Sequence, residues 1–300
     1  MKTIVTGAGG FIGRSLIGYL LGSGDDVYAV TRRDKSKLNI TGLDARFVIT
    51  TDLSSTAGDV EKLIDTDTFV VHAAGHTHLY ANSSIADYIS GNLDTTRNLL
   101  AAIANKGALG LLYLSTVSVY GDVDTPILSE RTPFGNPNVY GLTKRLAELL
   151  IAEARLECPN ICVRLPGVVG QGNFSPWLGC VAQSAIQGED ITIYNGSAVF
   201  NNIVDIPELA RLVHHIGTEL PGAGFDVVNI AASKPVEIRK VVDELLSSLG
   251  AKSRIIEKAA ERSSYQIDTH RLNRHLNFKS RSTIEMVSQF GSAIFNSANL

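Results

Sequence analysis

Short apolar runs alternate with amphipathic segments through the first half of the chain. The β-branched run Lys2–Thr6 predicts a strand, and apolar residues every three or four positions predict a helix from about Phe11 to Leu21. Further strands are predicted at Asp26–Thr31, Arg46–Thr50, Thr68–Ala74, Gly110–Ser115 and Asn160–Leu165, with helices at Asn92–Lys106 and Asn138–Arg155. Because strands as apolar as Thr68–Ala74 are typical of covered parallel sheets, the pattern predicts an α/β fold with a doubly wound parallel sheet.

The pattern changes after Pro166. Five glycine and proline residues crowd the segment 167–179, which predicts a loop around a site. Short strands at Ile191–Tyr194 and Asp226–Ile230 then alternate with helices at Pro207–Ile216, Val236–Leu249 and Ser282–Phe295. Since no long linker separates the halves, we expect residues 166–300 to form a smaller α/β cap, with segments near 200–230 returning to the sheet.

Composition narrows the classes of partner. The chain has 44% hydrophobic and 19% charged residues and a formal net charge of -3, as in ordinary globular proteins. Charges of both signs are interspersed, which argues against nucleic acid or an anionic membrane as a partner. No apolar run approaches the roughly 20 residues that span a bilayer, and glycines interrupt the N-terminal apolar stretch where a signal peptide would need continuity.

The cysteines and histidines do not predict a metal site. Cys158, Cys162 and Cys180 are three in number and lack a repeating spacing, which argues for a reducing, cytoplasmic compartment and for packing roles. His72, His76 and His78 follow a strand without an acidic partner nearby, so they are interpreted as strand-end and substrate-loop residues rather than ligands.

A glycine-rich turn, TGAGGFIG at Thr6–Gly13, stands between the first strand and the first helix. Gly7 makes the tight turn, Gly10 lets a phosphate approach the backbone, and Gly13 lets the helix pack closely. The helix start at Phe11 and Ile12 would direct amides at an anion. A turn needed only for packing is the alternative, but the strand–turn–helix context indicates a dinucleotide site. Residues 1–165 are therefore expected to be an NAD(P)-binding Rossmann domain and residues 166–300 a substrate-binding cap.

The end of the second predicted strand bears on which dinucleotide binds. NAD-binding proteins usually carry an acidic residue there, whereas this chain has Thr31, Arg32 and Arg33. Guanidinium groups attract the 2′-phosphate of NADP, so Arg32 favours NADP over NAD, although solvated arginines at a strand end are common. Asp52, after the third strand, is expected either to accept a hydrogen bond from the adenine amino group or to cap the following loop.

A second pattern suits proton transfer beside a nicotinamide. Tyr140 and Lys144 are four residues apart on a predicted helix and therefore share a face. A nearby ammonium lowers the pKa of a phenol from its usual value near 10, which would make Tyr140 a general acid or base. Thr116, at the end of the fifth predicted strand, is expected to hydrogen-bond the same substrate oxygen. Alone such a pair would be an ordinary surface pair, but with the glycine turn and Ser115–Thr116 it indicates an oxidoreductase.

These residues resemble the extended short-chain dehydrogenases/reductases, the group of sugar-nucleotide epimerases and dehydratases. The motifs that carry the resemblance are Thr6–Gly13, Asp52–Leu53, His72–Gly75, Asn92, Leu114–Gly121, Tyr140–Lys144, Arg164–Gly170, Asn202–Ala210 and Asp268–Phe278. They cover nearly the whole chain and are specific for the superfamily rather than for one reaction. The resemblance implies a homodimer in which the helices Asn92–Lys106 and Asn138–Arg155 form a four-helix bundle between two subunits, with most of their apolar residues facing the sheet.

The resemblance also implies roles for single residues. Besides the glycine turn, Arg32 and Asp52, it implies cofactor contacts for Leu53, Ala73, Ala74, Gly75, Asn92, Ser115, Tyr140, Lys144 and Pro166. It implies catalysis by Thr116, Tyr140 and Lys144, and substrate contacts for His76, Val117, Asn173 and Arg262. Asn92 begins a predicted helix, where capping is a sufficient explanation.

Departures from the resemblance narrow the reaction. The dehydratases of the group carry a Thr-Asp-Glu triplet, whereas Val117 and Ser118 follow Thr116 in this chain, which argues against elimination of water by a carboxyl pair. Asn201 stands where an arginine usually clamps a diphosphate, which leaves Arg262 for that task and keeps a smaller ketone, such as a lactone or polyol-type compound, as an alternative.

The favoured hypothesis from the sequence is an NADP-dependent reductase of a keto group, C4 of a nucleotide-linked deoxysugar. A nucleotide-sugar 4-epimerase with retained NAD uses the same residues and remains the alternative. A non-catalytic dinucleotide sensor is disfavoured because Tyr140 and Lys144 are both present.

Overall fold

The computed structural model describes residues 1–34, 38, 40–42, 44, 47–77, 82–259 and 264–298. The α-helices are α1 (Phe11–Gly22), α2 (Gly58–Glu61), α3 (Ile85–Tyr88), α4 (Thr95–Lys106), α5 (Val139–Glu153), α6 (Trp177–Ile186), α7 (Ile206–Thr218), α8 (Ile238–Leu249), α9 (His270–Leu276) and α10 (Thr283–Ala298). A π-helical segment, Ile89–Asp94, joins α3 to α4, and a 3₁₀ turn spans Val117–Tyr120.

The strands fall into one large sheet and several pairs. They are β1 (Lys2–Thr6), β2 (Asp26–Thr31), β3 (Val48–Thr50), β4 (Thr68–His72), β5 (Gly110–Thr116), β6 (Ile127–Leu128), β7 (Pro159–Leu165), β8 (Gly167–Val169), β9 (Ile191–Tyr194), β10 (Val199–Phe200), β11 (Ile203–Asp205), β12 (Gly224–Asn229), β13 (Val236–Glu237), β14 (Ile255–Lys258) and β15 (Gln266–Ile267).

The large sheet is parallel and runs in the order β12-β7-β5-β4-β1-β2-β3. All residues of β4 and β5 are buried, as expected of strands covered by helices on both faces. The chain leaves β1 towards β2 and β3 on one side and returns through β4 on the other. The order of the strands therefore reverses between β1 and β4, where open α/β sheets bind ligands at the carboxyl ends of their strands. The predicted doubly wound sheet is confirmed.

The described residues divide into two compact units. The sheet unit comprises Met1–Asp122, Pro133–Arg164 and Leu209–Val228, and the second unit comprises Val123–Thr132, Leu165–Glu208 and Asn229–Leu300. Val70, Leu111 and Ile103 belong to the apolar core of the sheet unit. The second unit has its own core, in which α6, α8 and α10 bury Leu178, Leu245 and Phe290. Its small sheets pair β8 with β11, β9 with β14, β10 with β13 and β6 with β15.

Several element boundaries differ from the sequence predictions. The segment 167–179, predicted as loop, holds β8 and the start of α6. Val236, predicted in a helix, instead pairs with Phe200 across β13 and β10. The predicted strand Thr68–Ala74 ends at His72, because Ala73 and Ala74 turn past the glycine loop. Short strands such as these are fixed by partners far away in the sequence, which local periodicity does not reveal.

The helix that was predicted to begin at Asn92 begins earlier. Helical structure starts at Ile85 and passes through the π segment, so Asn92 lies inside a continuous helical rod and does not cap it. Such π segments often occur at functional sites. Among the described residues, no helix is long and apolar enough to cross a membrane.

Candidate active site

The glycine turn after β1 is closely packed against the end of β4. Gly7 has φ of +73°, and a Cβ there would lie 2.7 Å from both the Ala73 oxygen and the Ala74 nitrogen. The Gly10 amide donates to the Gly7 carbonyl at 2.9 Å. A Cβ on Gly13 would overlap that same carbonyl oxygen, so α1 touches the turn only because residue 13 lacks a side chain.

A groove opens beside this turn and holds about 740 Å³ of empty space, its open mouth included. We call it the nucleotide groove; it is lined by Gly7, Gly9, Gly10, Val30, Thr31, Arg32, Arg33, Thr51, Asp52, Leu53, Ala73, Ala74, Gly75, Gly91 and Thr95. Eight predicted cofactor residues therefore lie together, namely Gly7, Gly10, Arg32, Asp52, Leu53, Ala73, Ala74 and Gly75. Sequence reasoning missed Gly91 and Thr95, because the π segment brings them to the groove and no motif marks them.

The start of α1 is suited to an anion. Gly10 is the N-cap and supplies no side chain, and the first turn of the helix contains no acidic residue. Helix N-terminal amides that no side chain caps are available to a phosphate, which the helix dipole also attracts. Gly13 is buried behind this turn, while Phe11 and Ile12 form the first turn itself. The residues present therefore fit a dinucleotide pyrophosphate.

The charged residues at the end of β2 and β3 face the same groove. Arg33 donates from Nη1 to the Gly9 carbonyl at 3.0 Å, and its backbone amide donates to Thr31 Oγ1. Asp52 accepts from the Ser54 amide and hydroxyl, at 3.0 and 2.7 Å. These bonds from Ser54, with a contribution from Arg32, hold the pKa of Asp52 below its ordinary value. Asp52 therefore caps its loop and at the same time lines the nucleotide groove as an anion.

A chain of buried polar groups supports the floor of the site. His72 is fully buried, with Nδ1 2.8 Å from Thr6 Oγ1 and Nε2 3.0 Å from Thr96 Oγ1. The Thr96 hydroxyl donates to the Asn92 carbonyl, so it accepts from Nε2–H of the histidine. Burial lowers the pKa of His72 to about 3, which keeps the ring neutral. His72 is therefore a structural residue at the end of β4.

Asn92 ties the π segment to two neighbours. Its amide donates to Thr143 Oγ1 on α5 at 2.9 Å and to the His76 carbonyl at 3.1 Å, and its Oδ1 accepts from the His76 amide at 2.8 Å. A Cβ on Gly75 would lie 3.0 Å from that Oδ1. Asn92 thus orders the backbone between β4 and α3. Contrary to the sequence prediction, it does not cap a helix, because it lies within the π segment.

Thr116 and Tyr140 are brought together as expected. Asn138 caps α5 by accepting from the Gly141 amide, which places Tyr140 in the first turn of that helix. Thr116 ends β5 and accepts from the Ser118 amide at 3.1 Å. Burial raises the pKa of Tyr140 to about 12, and its hydrogen bond with Thr116 opposes this. Tyr140 is therefore a neutral phenol at physiological pH.

Lys144 lies one helical turn further on and is almost fully buried. Its Nζ is 4.0 Å from the centre of the Tyr113 ring, and 3.7 Å from where a Cβ on Gly75 would stand. Burial lowers the pKa of Lys144 to about 7, while Cys162 and Glu148 oppose this shift. The expectation that Lys144 lowers the pKa of Tyr140 is wrong for the protein alone, because burial of the phenol outweighs every other influence and the ammonium faces Tyr113.

A buried ion cluster behind β5 was not anticipated. Glu148 is inaccessible to solvent and binds Arg164 in two bonds, Nε–Oε1 at 2.9 Å and Nη2–Oε2 at 2.7 Å. It also accepts from Ser115 Oγ at 2.6 Å and from Arg145. Arg164 donates in addition to the Tyr120 hydroxyl. Ser115, predicted to contact the cofactor, thus donates its hydroxyl hydrogen to Glu148.

The predicted substrate residues belong to both units of the chain. His76 Nε2 lies 2.6 Å from Ser83 Oγ, and Val117 begins the 3₁₀ turn after Thr116. In the second unit, Asn173 donates to the Val168 carbonyl at 2.9 Å, and Pro166 is buried between β7 and β8. Arg262 and His78 lie outside the described residues. In the part of the chain that the structure describes, no group of histidine, cysteine or acidic residues is placed to hold a metal ion.

Asn201 is fully used by backbone groups. Its amide donates to the carbonyls of Ala232 and Ile267, at 3.0 and 2.9 Å, and its Oδ1 accepts from the Ile267 amide at 2.8 Å. The side chain therefore joins the backbone at Ala232 to the end of β15 at Ile267. An arginine has no side-chain acceptor, so it could not accept the bond from the Ile267 amide.

Comparisons with known proteins agree with this geometry. The model of the NAD dependent epimerase/dehydratase family matches residues 3–231. The chain is 32% identical over 243 residues to GDP-6-deoxy-D-talose 4-dehydrogenase of Aggregatibacter actinomycetemcomitans, covering 77% of this chain and 78% of that protein. It is 28% identical over 281 residues to 2-alkyl-3-oxoalkanoate reductase of Stenotrophomonas maltophilia, covering 89% of this chain and 81% of that protein.

A solved structure shows the same fold. UDP-glucuronic acid 4-epimerase from Bacillus cereus, in complex with NAD, superimposes with a TM-score of 0.81 at 22% identity, covering 98% of this chain and 96% of that one. The resemblance that the sequence motifs indicated is confirmed, and an NAD(P) dinucleotide is the cofactor of the group. The chain belongs to the NAD-dependent epimerase/dehydratase family of enzymes, within the extended short-chain dehydrogenases/reductases.

Proposed function

We propose that this enzyme reduces a ketone to an alcohol with a nicotinamide dinucleotide. The observation that carries the proposal is the Tyr140 phenol, which is half-buried, hydrogen-bonded to Thr116 and, with a pKa of about 12, protonated at neutral pH. Such a phenol donates its proton as a carbonyl oxygen gains negative charge. When bound, reduced NAD(P) supplies the hydride to the carbonyl carbon. Hydride and proton together convert C=O into CH–OH.

Thr116 and Lys144 assist Tyr140. The Thr116 hydroxyl is hydrogen-bonded to Tyr140, so it orients the ketone oxygen towards the phenol. Lys144 has a pKa of about 7 and gains a proton readily when negative charge develops nearby. Its ammonium then stabilises the phenolate that remains after proton transfer, and Asn92 fixes the backbone beside both residues.

We propose NADP as the preferred cofactor. Arg32 lines the nucleotide groove, and Thr31 replaces an acidic residue that would repel a 2′-phosphate. The 4-epimerase from Bacillus cereus was solved with NAD, as was a short-chain dehydrogenase/reductase from Agrobacterium tumefaciens, so NAD is the alternative. An epimerase returns its hydride to the same substrate and keeps its nucleotide, whereas a reductase exchanges it in every turnover.

Two substrate classes suit this chemistry. One is the C4 ketone of a nucleotide-linked deoxysugar, supported by the similarity to GDP-6-deoxy-D-talose 4-dehydrogenase and to dTDP-4-dehydro-6-deoxy-D-allose reductase of Streptomyces bikiniensis, 26% identical over 272 residues. The other is a ketone that carries no nucleotide, supported by the neutral Asn201 and by the similarity to 2-alkyl-3-oxoalkanoate reductase.

The proposal is tested by identifying the bound nucleotide and then measuring turnover. Freshly purified protein is denatured, the released nucleotide is quantified per subunit, and the protein is then mixed with NADPH or NADH and a panel of ketones while absorbance at 340 nm is followed. A reductase releases little nucleotide and oxidises NADPH only when ketone is present. One NAD per subunit, with no net oxidation of NADPH, would favour the 4-epimerase instead.

We further propose that two copies of the chain associate through α5. Leu142, Leu146 and Leu149 lie on one face of this helix and are 48%, 40% and 42% exposed. The sequence predicts that most apolar residues of α4 and α5, Leu146 and Leu149 among them, face the sheet. Leu99 and Ile103 of α4 are buried, whereas Leu146 and Leu149 are exposed. A run of exposed leucines on one face marks an association surface. Sedimentation at micromolar concentration should show a dimer, and Leu146→Glu should produce monomers.

A further inference from the structure

The second unit contains an open cavity with apolar walls and about 910 Å³ of empty space, its mouth included. We call it the aromatic pocket; it is lined by Gly167, Val169, Pro176, Trp177, Leu178, Tyr194, Phe200, Asn202, Ile203, Ile238 and Ser264. Trp177 and Phe200 meet edge to face with ring centres 5.2 Å apart. Concave, mostly apolar cavities with few polar groups are the usual form of small-molecule sites.

The described residues that line the aromatic pocket include no acidic or basic side chain. Their polar side-chain groups are the amide of Asn202, the hydroxyls of Ser264 and Tyr194, and the indole N–H of Trp177. A phosphate or carboxylate would lose its hydration beside these residues without gaining a cation from them, which is costly in an apolar cavity. The neighbouring Asn201 offers nothing to such a group, because its donors and its acceptor are bonded to the backbone of the second unit. The described lining residues therefore favour an uncharged group over an anion.

We propose that the aromatic pocket binds an uncharged, largely apolar group, an alkyl chain above all, of the kind that the second of the two substrate classes would supply. This inference rests on the proposed ketone reduction. Trp177 and Tyr194 are 39% and 53% exposed, which is unusual for such large apolar rings and leaves area for a ligand to cover. Covering that area contributes roughly 25 cal/mol per Å².

Asn202, one of the lining residues, has an unsatisfied polar atom. Its Oδ1 is shielded from solvent and has no hydrogen-bond partner among the described residues. Because this oxygen is shielded, the surface that a ligand meets in the pocket is largely apolar. An alkyl chain with a single uncharged hydroxyl, 1-octanol, is therefore a simple probe.

Trp177 makes the test direct because it is the chain's only tryptophan. Intrinsic fluorescence is recorded while the full-length protein is titrated with 1-octanol, with UDP and with GDP. The expected result is a saturable change with 1-octanol and none with either diphosphate beyond the inner-filter effect, which a solution of free tryptophan measures. Tyr194→Ala should weaken the response to 1-octanol several-fold, whereas Phe225→Ala, which removes an exposed ring from the sheet unit, should leave it unchanged.

Each other outcome overturns the inference. A saturable response to UDP or GDP at lower concentration than to 1-octanol would assign the pocket to a nucleotide, and no response to any of the three would mean that the cavity is not a ligand site. Neither result affects ketone reduction by Tyr140, which is measured by oxidation of NADPH. Conversely, Tyr140→Phe protein should bind 1-octanol as the unaltered protein does, even if that variant shows the proposed chemistry to be wrong.

Discussion

The nucleotide groove and the aromatic pocket are open cavities of opposite construction. Seven of the fifteen residues that line the groove are glycine or alanine, which expose their backbone, and Arg32, Arg33 and Asp52 supply its charges. The pocket is formed by large apolar side chains, with Trp177, Tyr194 and Phe200 as its main surfaces. A backbone cavity is sensitive to an added methyl group, whereas a side-chain cavity is sensitive to removal of atoms.

The two cavities also belong to different units, one with the proposed catalytic residues and the other with the proposed ligand pocket. Tyr140, Thr116 and Lys144 belong to the sheet unit, together with the groove. The pocket belongs wholly to the second unit. Substitutions in one unit should therefore change turnover or nucleotide affinity without changing the emission of Trp177, and substitutions around the pocket should do the reverse.

The largest expected effect comes from Tyr140→Phe. This change removes only the phenolic oxygen, and loss of a general acid costs about 10²- to 10⁴-fold in kcat. Affinity for NADPH and the emission of Trp177 should not change. Steady-state oxidation of NADPH measures kcat, and equilibrium titration measures the affinity for NADPH. Tyr19→Phe, on an exposed part of α1, is the matched control. If the Tyr140→Phe enzyme kept more than a tenth of the original kcat, Tyr140 would not be the general acid.

The sequence predicted the groove but not the pocket, because a local motif forms the groove and residues far apart in the sequence form the pocket. The groove could be predicted because Gly7, Gly10 and Gly13 lie within seven residues and form a recognisable motif. A side chain at any of the three would come close to backbone atoms of the turn or of its neighbour. Tyr140 and Lys144 were recognisable for the same reason, since helical spacing places them on one face. The pocket could not, because residues as distant as Gly167 and Ser264 line it and no spacing relates them.

Contacts between polar residues that lie far apart in the sequence could not be predicted either. Nothing in the sequence shows that Glu148 meets Arg164, because the pair joins α5 to β7 across the sheet unit. Likewise Asn201 was recognised only as a missing arginine, and its bonds to Ala232 and Ile267 depend on how the second unit folds. The sequence therefore predicted residues whose function depends on local backbone, and missed those whose function depends on long-range partners.

The second unit contains a pH-sensitive cluster that sharpens the comparison. Arg281 binds Asp205 at 2.5 Å and Glu208 at 2.9 Å, so one guanidinium serves two buried carboxylates. Asp205 Oδ2 is buried and has no partner among the described residues. Burial raises the pKa of Asp205 to about 6, with Arg281 opposing the shift and Glu208 adding to it. In the sheet unit, by contrast, bonds from Arg164, Ser115 and Arg145 overcome burial and lower the pKa of Glu148.

Asp205→Asn should therefore change how stability depends on pH. Between the unfolded pKa of 3.8 and the folded pKa of about 6, the folded state holds a proton that the unfolded state releases, so stability falls as pH rises through that window. The shift corresponds to about 3 kcal/mol in the free energy of unfolding. Chemical denaturation at pH 4 and pH 7 should show this loss for the original protein relative to Asp205→Asn. Parallel pH profiles for the two proteins would contradict it.

Gly13→Ala tests the backbone character of the groove. The added methyl would overlap the Gly7 carbonyl, and overpacking of this kind costs about 1–3 kcal/mol, which we expect to appear as roughly a 10- to 100-fold loss of NADPH affinity. Gly18→Ala is the matched control, because a Cβ there meets nothing within 4 Å in the same helix. Isothermal titration with NADPH distinguishes the two. Equal affinities in both variants would mean that the turn does not hold the nucleotide.

The smallest expected effect concerns the choice of nucleotide at the rim of the groove. Arg32→Ala removes a cation that an additional phosphate would contact, and a charge-assisted bond at an exposed site contributes about 1–2 kcal/mol, or roughly tenfold in affinity. The loss should apply to NADPH and spare NADH, because only the former carries the 2′-phosphate, and it should shrink as salt is raised. Arg239→Ala in the second unit removes the same net charge away from the groove and should affect neither nucleotide. Equal losses for NADPH and NADH would mean that Arg32 contacts a part common to both, and NAD would then become the preferred cofactor.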